Sequence, residues 1–177
     1  MKPSTILVII ASAAAGAVLA LAAADGFARQ DNAARPSVYS NGAYGFSIQP
    51  PTFPRAAKNS VLQSAMFFAP AKDGFAPNLN VMVQEVKMSL DEYCTLSKGQ
   101  FKQAGFKVLA ETRKKVSGRD AVLWEYEGEL QGRSMKWTAL AVADTDRVYL
   151  ATGTAPADDD ALWKEFKASL ESFKLGD

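Results

Sequence analysis

Hydrophobic and polar residues alternate most regularly in the second half of the chain, in three runs separated by two tight turns. From Arg119 to Pro156 the sequence reads RDAVLWEYEGELQGRSMKWTALAVADTDRVYLATGTAP. With Gln131-Gly132 as a two-residue hairpin loop, Leu130 faces Arg133 and pairing runs outward from there. Tyr126 then falls opposite Trp137, Glu127 opposite Lys136, and Trp124 opposite Ala139. Side chains alternate across a strand, so this register sorts them by face. Trp124, Tyr126, Met135 and Trp137 share one face, and Glu125, Glu127, Lys136 and Thr138 share the other. The same register makes an aromatic pair and a charge pair, both favoured cross-strand neighbours. Asp144-Thr145-Asp146 then turns the chain into a third strand, RVYLATGTA.

Upstream, Tyr44, Phe46 and Ile48 alternate with Gly45, Ser47 and Gln49, predicting a first strand ended by Pro50-Pro51. Gln63 to Ala69 reads as a second strand, joined to the first by a loose Pro-containing segment, and Pro70 to Pro77 as a loop. Asn78 to Lys87 reads as a third, with Leu79, Val81 and Val83 on one face. The period then becomes helical. Ser89 and Glu92 form a capping box, and Gly105 suits the left-handed position past the helix end. Leu90, Tyr93, Cys94, Ser97, Phe101 and Ala104 make the buried stripe. Phe106 to Val116 is a fourth strand, and Ser117-Gly118 the turn into the meander. A last helix opens at Asp158, Asp159 and Asp160. It buries Leu162, Phe166, Leu170 and Phe173, with Trp163 at the stripe's edge. Acidic residues at its start and Lys164, Lys167 and Lys174 further on suit the helix dipole. The predicted order is βββαββββα.

The N-terminus has a different character. Lys2 precedes an apolar run from Ile6 that continues through Leu19 and Leu21, and Ala22 and Ala24 match the small-x-small pattern of signal peptidase sites. Residues 1–24 are read as a signal peptide cleaved after Ala24, with Ala28 the second choice and an uncleaved anchor over Ile6 to Ala24 the third. No cysteine follows the run, which excludes a bacterial lipid anchor. Asp25 to Asn41 is polar and aperiodic, a flexible linker to a domain spanning 42–176. The expected location is the periplasm or the extracellular space, with membrane contact only through a retained leader.

Composition narrows the chemistry. About 150 residues beyond the leader make one domain, large enough to fold without metal or disulfide. Among 177 residues the formal net charge is +1, so no global field draws the chain to nucleic acid. The chain contains no histidine and a single cysteine, Cys94. That removes Ser-His-Asp and Cys-His nucleophile systems and every zinc site built from His and Cys. Cys94, on the apolar stripe, is read as a small buried hydrophobe. No G-x-G-x-x-G, G-x-x-x-x-G-K or S-x-x-K pattern occurs.

Four clusters merit weighing as sites. Glu125, Glu127 and Glu129 place carboxylates side by side on one strand face, a spacing suited to glycoside hydrolysis or a hard cation. The plainer reading is a solvated face with Lys136 as counter-ion. Asp158-Asp159-Asp160 resembles part of a calcium loop but lacks the D-x-D-x-D-G pattern, and reads as a helix cap and first turn. Arg113-Lys114-Lys115 with Arg119 is the most basic stretch. It could meet an anionic headgroup or a partner's acidic surface, but alternation splits it between two faces, and the favoured reading is an edge strand guarded by charge. Trp124, Tyr126 and Trp137 would line a ligand pocket or, more simply, the core beneath a helix, leaving Trp163 as the better candidate for a partly exposed contact.

Several phrases together resemble a known family. GAYGFSIQPP, PNLNVMVQEV, SLDEYCTLSKGQFKQAGFKV, the meander from Val116 to Pro156 and the closing LESFK are similar to the exported PsbP-like domain family. The resemblance covers about residues 40–175 and rests on element order and degenerate phrases rather than on an invariant motif. It implies an α/β/α sandwich, an α+β fold in which a mainly antiparallel sheet carries helices on both faces. Leu123, Leu140 and Val142 are apolar positions on the otherwise polar face, which fits partial cover by a helix. Family members include an extrinsic accessory subunit of photosystem II and many exported bacterial proteins, and none of these roles is enzymatic. The expectation is a monomeric, non-catalytic binding or accessory domain acting on another envelope or secreted protein, with no catalytic residue, cofactor or metal. The alternative is a carrier holding a small apolar or lipid-like molecule between helix and sheet, beside Trp124 or Trp137. A hydrolase would require Glu125→Gln or Glu127→Gln to abolish turnover without unfolding.

Overall fold

The computed structural model describes residues 38–52 and 65–176. The leader, both cleavage positions, most of the linker, the join between the first two predicted strands and the start of the second lie outside those residues.

The three meander strands β6 (Arg119–Leu130), β7 (Arg133–Ala143) and β8 (Val148–Pro156) occupy the middle of a six-stranded antiparallel sheet. Leu130 pairs with Arg133, Glu127 with Lys136, Tyr126 with Trp137 and Trp124 with Ala139, the register expected from the two-residue loop. Gln131 and Gly132 both have positive φ, as a type I′ turn requires. β5 (Lys107–Val116) forms one edge, with a bulge at Leu109, and β3 (Ala65–Phe68) the other, beyond β4 (Asn78–Gln84).

Helix α1 (Leu90–Gln103) lies against β5 and β6 on the aromatic face. Its capping box is complete: the Ser89 hydroxyl accepts from the Glu92 amide, and the Glu92 carboxylate accepts from the Ser89 amide. The Ser89 amide and hydroxyl, both donating to the Glu92 carboxylate, hold it below the usual range. Leu90, Tyr93, Cys94, Ser97 and Phe101 are buried as the stripe predicts, whereas Ala104 is the exposed C-cap.

Helix α2 (Asp160–Glu171) lies on the opposite face, over β7 and β8. Phe166 and Leu170 meet Leu79, Leu123, Leu140, Val142 and Ala151 there. The Asp159 carboxylate caps this helix, accepting from the Leu162 amide at 3.0 Å. Its last turn carries no cation, and Lys174 falls beyond it in a short strand.

Two strands were not anticipated. β1 (Tyr39–Asn41), inside the stretch read as linker, pairs with β2 (Phe46–Ile48), and β2 pairs in turn with β9 (Lys174–Leu175). Two- and three-residue strands offer too short an alternation to detect in sequence. This small sheet sits beside α2, with Phe46 stacked on Phe173 at 5.5 Å and the Gly176 amide donating to Gly45 at 2.7 Å. The fold is α+β, with the large sheet between α1 on one side and α2 plus the small sheet on the other. Among the described residues, no helix is long and apolar enough to cross a membrane.

Candidate functional site

The strand periodicity of β6 brings Glu125 and Glu127 to the α2 face, where each meets a lysine. Lys167 of α2 donates to Glu125 at 2.6 Å, and Lys107 of β5 donates to Glu127 at 3.0 Å. Lys136 stands opposite Glu127 in the register but reaches Asp160 at the start of α2, at 3.0 Å. The counter-ion reading is therefore corrected in its partner. Helix α2 draws Lys136 away, and its own Lys167 neutralises Glu125. Asp160 is held below the usual carboxylate range by that Lys136 contact. Lys167 and Lys136 also approach the half-buried Trp163 ring, at 5.4 and 6.0 Å from its centroid. Glu129 is exposed. The carboxylates are thus divided among separate ion pairs instead of converging on a shared cleft. Among the described residues no group of three or more His, Cys, Asp or Glu side chains is placed to hold a metal ion.

The aspartates divide in the same way: Asp159 caps α2, Asp160 binds Lys136, and Asp158 is exposed. Arg113-Lys114-Lys115 is on the edge strand and Arg119 on its neighbour β6, and Arg113, Lys115 and Arg119 are paired. Arg113 contacts Asp91 at 2.9 Å and Glu111 at 3.5 Å, Lys115 contacts Asp120 at 2.7 Å, and Arg119 contacts Asp144 at 3.2 Å. Arg113 and Lys115 share a face while Lys114 takes the other, facing Ala121. Burial raises the Glu111 carboxyl, but Lys98 at 2.8 Å, the Trp124 indole and Arg113 outweigh it and bring the group below its ordinary value. Charge along an edge, a bulge and local pairing are the devices that keep a sheet edge from unwanted strand addition.

The aromatic residues form a packed layer. Tyr126 stacks on Trp137 at 5.3 Å, Phe106 packs on both at 5.8 and 4.6 Å, and Phe101 meets Tyr126 at 4.4 Å. Phe106 reaches this layer because Gly128 leaves room: a Cβ there would lie 2.5 Å from the Phe106 ring. A glycine inside a strand pattern signals such a close approach, and Gly128 was the available sequence clue. Burial pushes the Tyr93 and Tyr126 phenols well above their ordinary value. It raises the Cys94 thiol too, despite the neighbouring Arg113, so Cys94 is the inert, buried cysteine expected.

Between α1 and the sheet, beside Trp124, lies a cavity with about 10 Å³ of room for the centre of a water molecule. Tyr93 and Ser97 line it from α1, with Trp124, Tyr126, Ala139 and Thr152 among the sheet residues. Clefts that hold small organic ligands are far larger, roughly 300–1,000 Å³. Buried polar groups cluster on this face as well. Asn78, Asn80, Thr152 and Thr154 form two cross-strand pairs at no more than 3% exposure. Sequence reading put Ser97 on the buried stripe but gave no reason to join it to Thr152, 55 residues later by subtraction of their positions.

No protein-family profile matches the chain, and no curated protein matches it. Solved structures do. LpqN of Mycobacterium tuberculosis, described as involved in cell envelope biogenesis, is similar with a TM-score of 0.60 at 13% identity, over 80% of this chain and 90% of LpqN. CyanoP, the PsbP of the cyanobacterium Synechocystis, is similar with a TM-score of 0.54 at 15% identity, over 85% of this chain and 98% of CyanoP. The Pseudomonas aeruginosa protein PA94, of unknown function, gives 0.51 at 17% identity, over 75% of this chain and 94% of that one. At these identities the likeness is one of fold, and the chain has a PsbP-like fold.

Proposed function

We propose that this chain is an exported, non-catalytic accessory domain of the PsbP-like family that works by binding another protein of the envelope or secreted fraction. The observation that supports it most is the division of the charged clusters into local pairs. Glu125, Glu127, Asp160, Arg113 and Lys115 are each engaged by an opposite charge, and each pair serves to fasten an element of the fold. A general acid–base pair needs two carboxylates turned into one cleft, whereas Glu125 and Glu127 each meet a separate lysine. The cavity beside Trp124 is of single-water size, which argues against the carrier of an apolar ligand. The involvement of LpqN in cell envelope biogenesis agrees with an exported accessory part, as does the leader-like N-terminus.

The test is native mass spectrometry of the full chain, expressed with its own leader and recovered with its envelope, combined with photo-crosslinking from exposed positions on each face. One reproducible protein adduct, crosslinked from one face and absent from the others, is the expected result. A stoichiometric small-molecule adduct on the bare chain, or turnover abolished by Glu125→Gln or Glu127→Gln in a variant that stays folded, would overturn the proposal.

A further inference from the structure

The cavity beneath α1 has an unusual wall. Its lining combines aromatic rings with three hydroxyl-bearing side chains, Tyr93 and Ser97 from α1 and Thr152 from β8. Tyr93, Ser97 and Thr152 are each at most 3% exposed. The Ser97 hydroxyl, the Tyr93 hydroxyl and the Trp124 indole N–H find no complete hydrogen bond among the protein's own groups. The phenol has Gln84 and the indole has Glu111 as a nearby polar neighbour to turn to, so the Ser97 hydroxyl is the group that most needs a partner.

Leaving a buried donor or acceptor unpaired costs about 1–3 kcal/mol each, and folded proteins seldom tolerate several at one place. A buried water relieves the cost where it has about 10–15 Å³ of room and two to four polar partners. The site meets both conditions: its room is about 10 Å³, and four polar side chains, Tyr93, Ser97, Trp124 and Thr152, line it. An apolar occupant would leave the same hydroxyls unpaired.

We infer that this cavity is a built hydration site, holding one ordered water bound between Ser97 of α1 and Thr152 of β8. The water is an integral part of the α1 interface and joins the helix to the middle of the sheet, two strands beyond β6. The inference is independent of the proposed function.

Water-to-protein nuclear Overhauser effects on the full chain test it, with the Ala139 methyl in the cavity wall as reporter, alongside a high-resolution crystal structure. The native chain is expected to show a long-lived water contact at Ala139 and density for one water between Ser97 and Thr152. Ser97→Ala with Thr152→Val removes both hydroxyls at nearly constant volume and is expected to abolish the contact. A native chain with neither contact nor density overturns the inference, whether or not the double variant folds. A contact undiminished in a folded double variant overturns it as well.

Discussion

The two faces of the large sheet are covered with different materials. Against α2 and the small sheet the sheet presents mostly aliphatic side chains, Leu79, Val81, Ala121, Leu123, Leu140, Val142 and Ala151, with Phe67, Tyr149 and the buried Thr138 among them. Against α1 it presents Trp124, Tyr126 and Trp137, with Asn80, Thr152 and Thr154 buried next to them. The α2 face is closed by shape and tied at its border by Lys167–Glu125 and Lys136–Asp160. The α1 face mixes large rings with hydroxyls and amides, and leaves a cavity. Close-packed hydrocarbon resists any change of volume, whereas an interface with imperfectly satisfied polar groups yields at lower cost. On this ground α1 is expected to loosen at lower cost than α2.

Two glycines make the contrast testable. A Cβ on Gly153 would lie 2.5 Å from the Phe166 Cβ and 2.7 Å from its Cγ, atoms close to the α2 backbone that move only with the helix. Gly153→Ala should therefore cost about 3 kcal/mol, the upper end of the range for overpacking, read as a lowered denaturation midpoint. A Cβ on Gly128 meets the rim of the half-buried Phe106 ring, which can swing. Gly128→Ala should cost about 1 kcal/mol, at the low end of the same range. Equal losses from the two variants would break the comparison.

Alkali should act through the α1 face. Tyr93 and Tyr126 have phenols raised by burial, so their contribution to stability is fully present below the unfolded value near pH 10 and fades as pH rises above it. Each should subtract about 1.4 kcal/mol per pH unit beyond that point while it stays protonated in the fold. Chemical denaturation between pH 9 and 11 would show the slope, and Tyr93→Phe should reduce it. A profile unchanged by Tyr93→Phe would remove this tyrosine from the account.

Smaller effects complete the series. Removing the α1 cap in Ser89→Ala should cost about 1 kcal/mol, measured by equilibrium unfolding. Breaking the partly buried Lys167–Glu125 pair in Lys167→Met should cost no more than about 1 kcal/mol, because water still reaches the lysine. A loss several times larger would mean that charge, not packing, fastens α2.

Much of this architecture was legible because the signals were local and long. A twelve-residue strand, a two-residue turn and an eleven-residue strand define one register, and the structure has it. The capping box of α1 was readable for the same reason, and the run Asp158-Asp159-Asp160 marked the start of α2, where the structure makes Asp159 the cap. What escaped is long-range. The small sheet joins residues near 40 to residues near 175 through two or three positions each, too few for a period to show. Lys136 has a neighbour across the hairpin, yet α2 supplies a second carboxylate, and only three-dimensional packing decides between them. The hydration site depends on Ser97 and Thr152 meeting across two elements, and neither residue type marks a site alone.

Native-state hydrogen exchange, followed residue by residue at increasing denaturant, tests the unequal faces most directly. Amides of α1 from Tyr93 to Phe101 should exchange through a partial opening whose free energy lies below that of α2 and of β6 to β8. Amides of α1 that exchange only with global unfolding, at the same free energy as those of β7, would contradict the account.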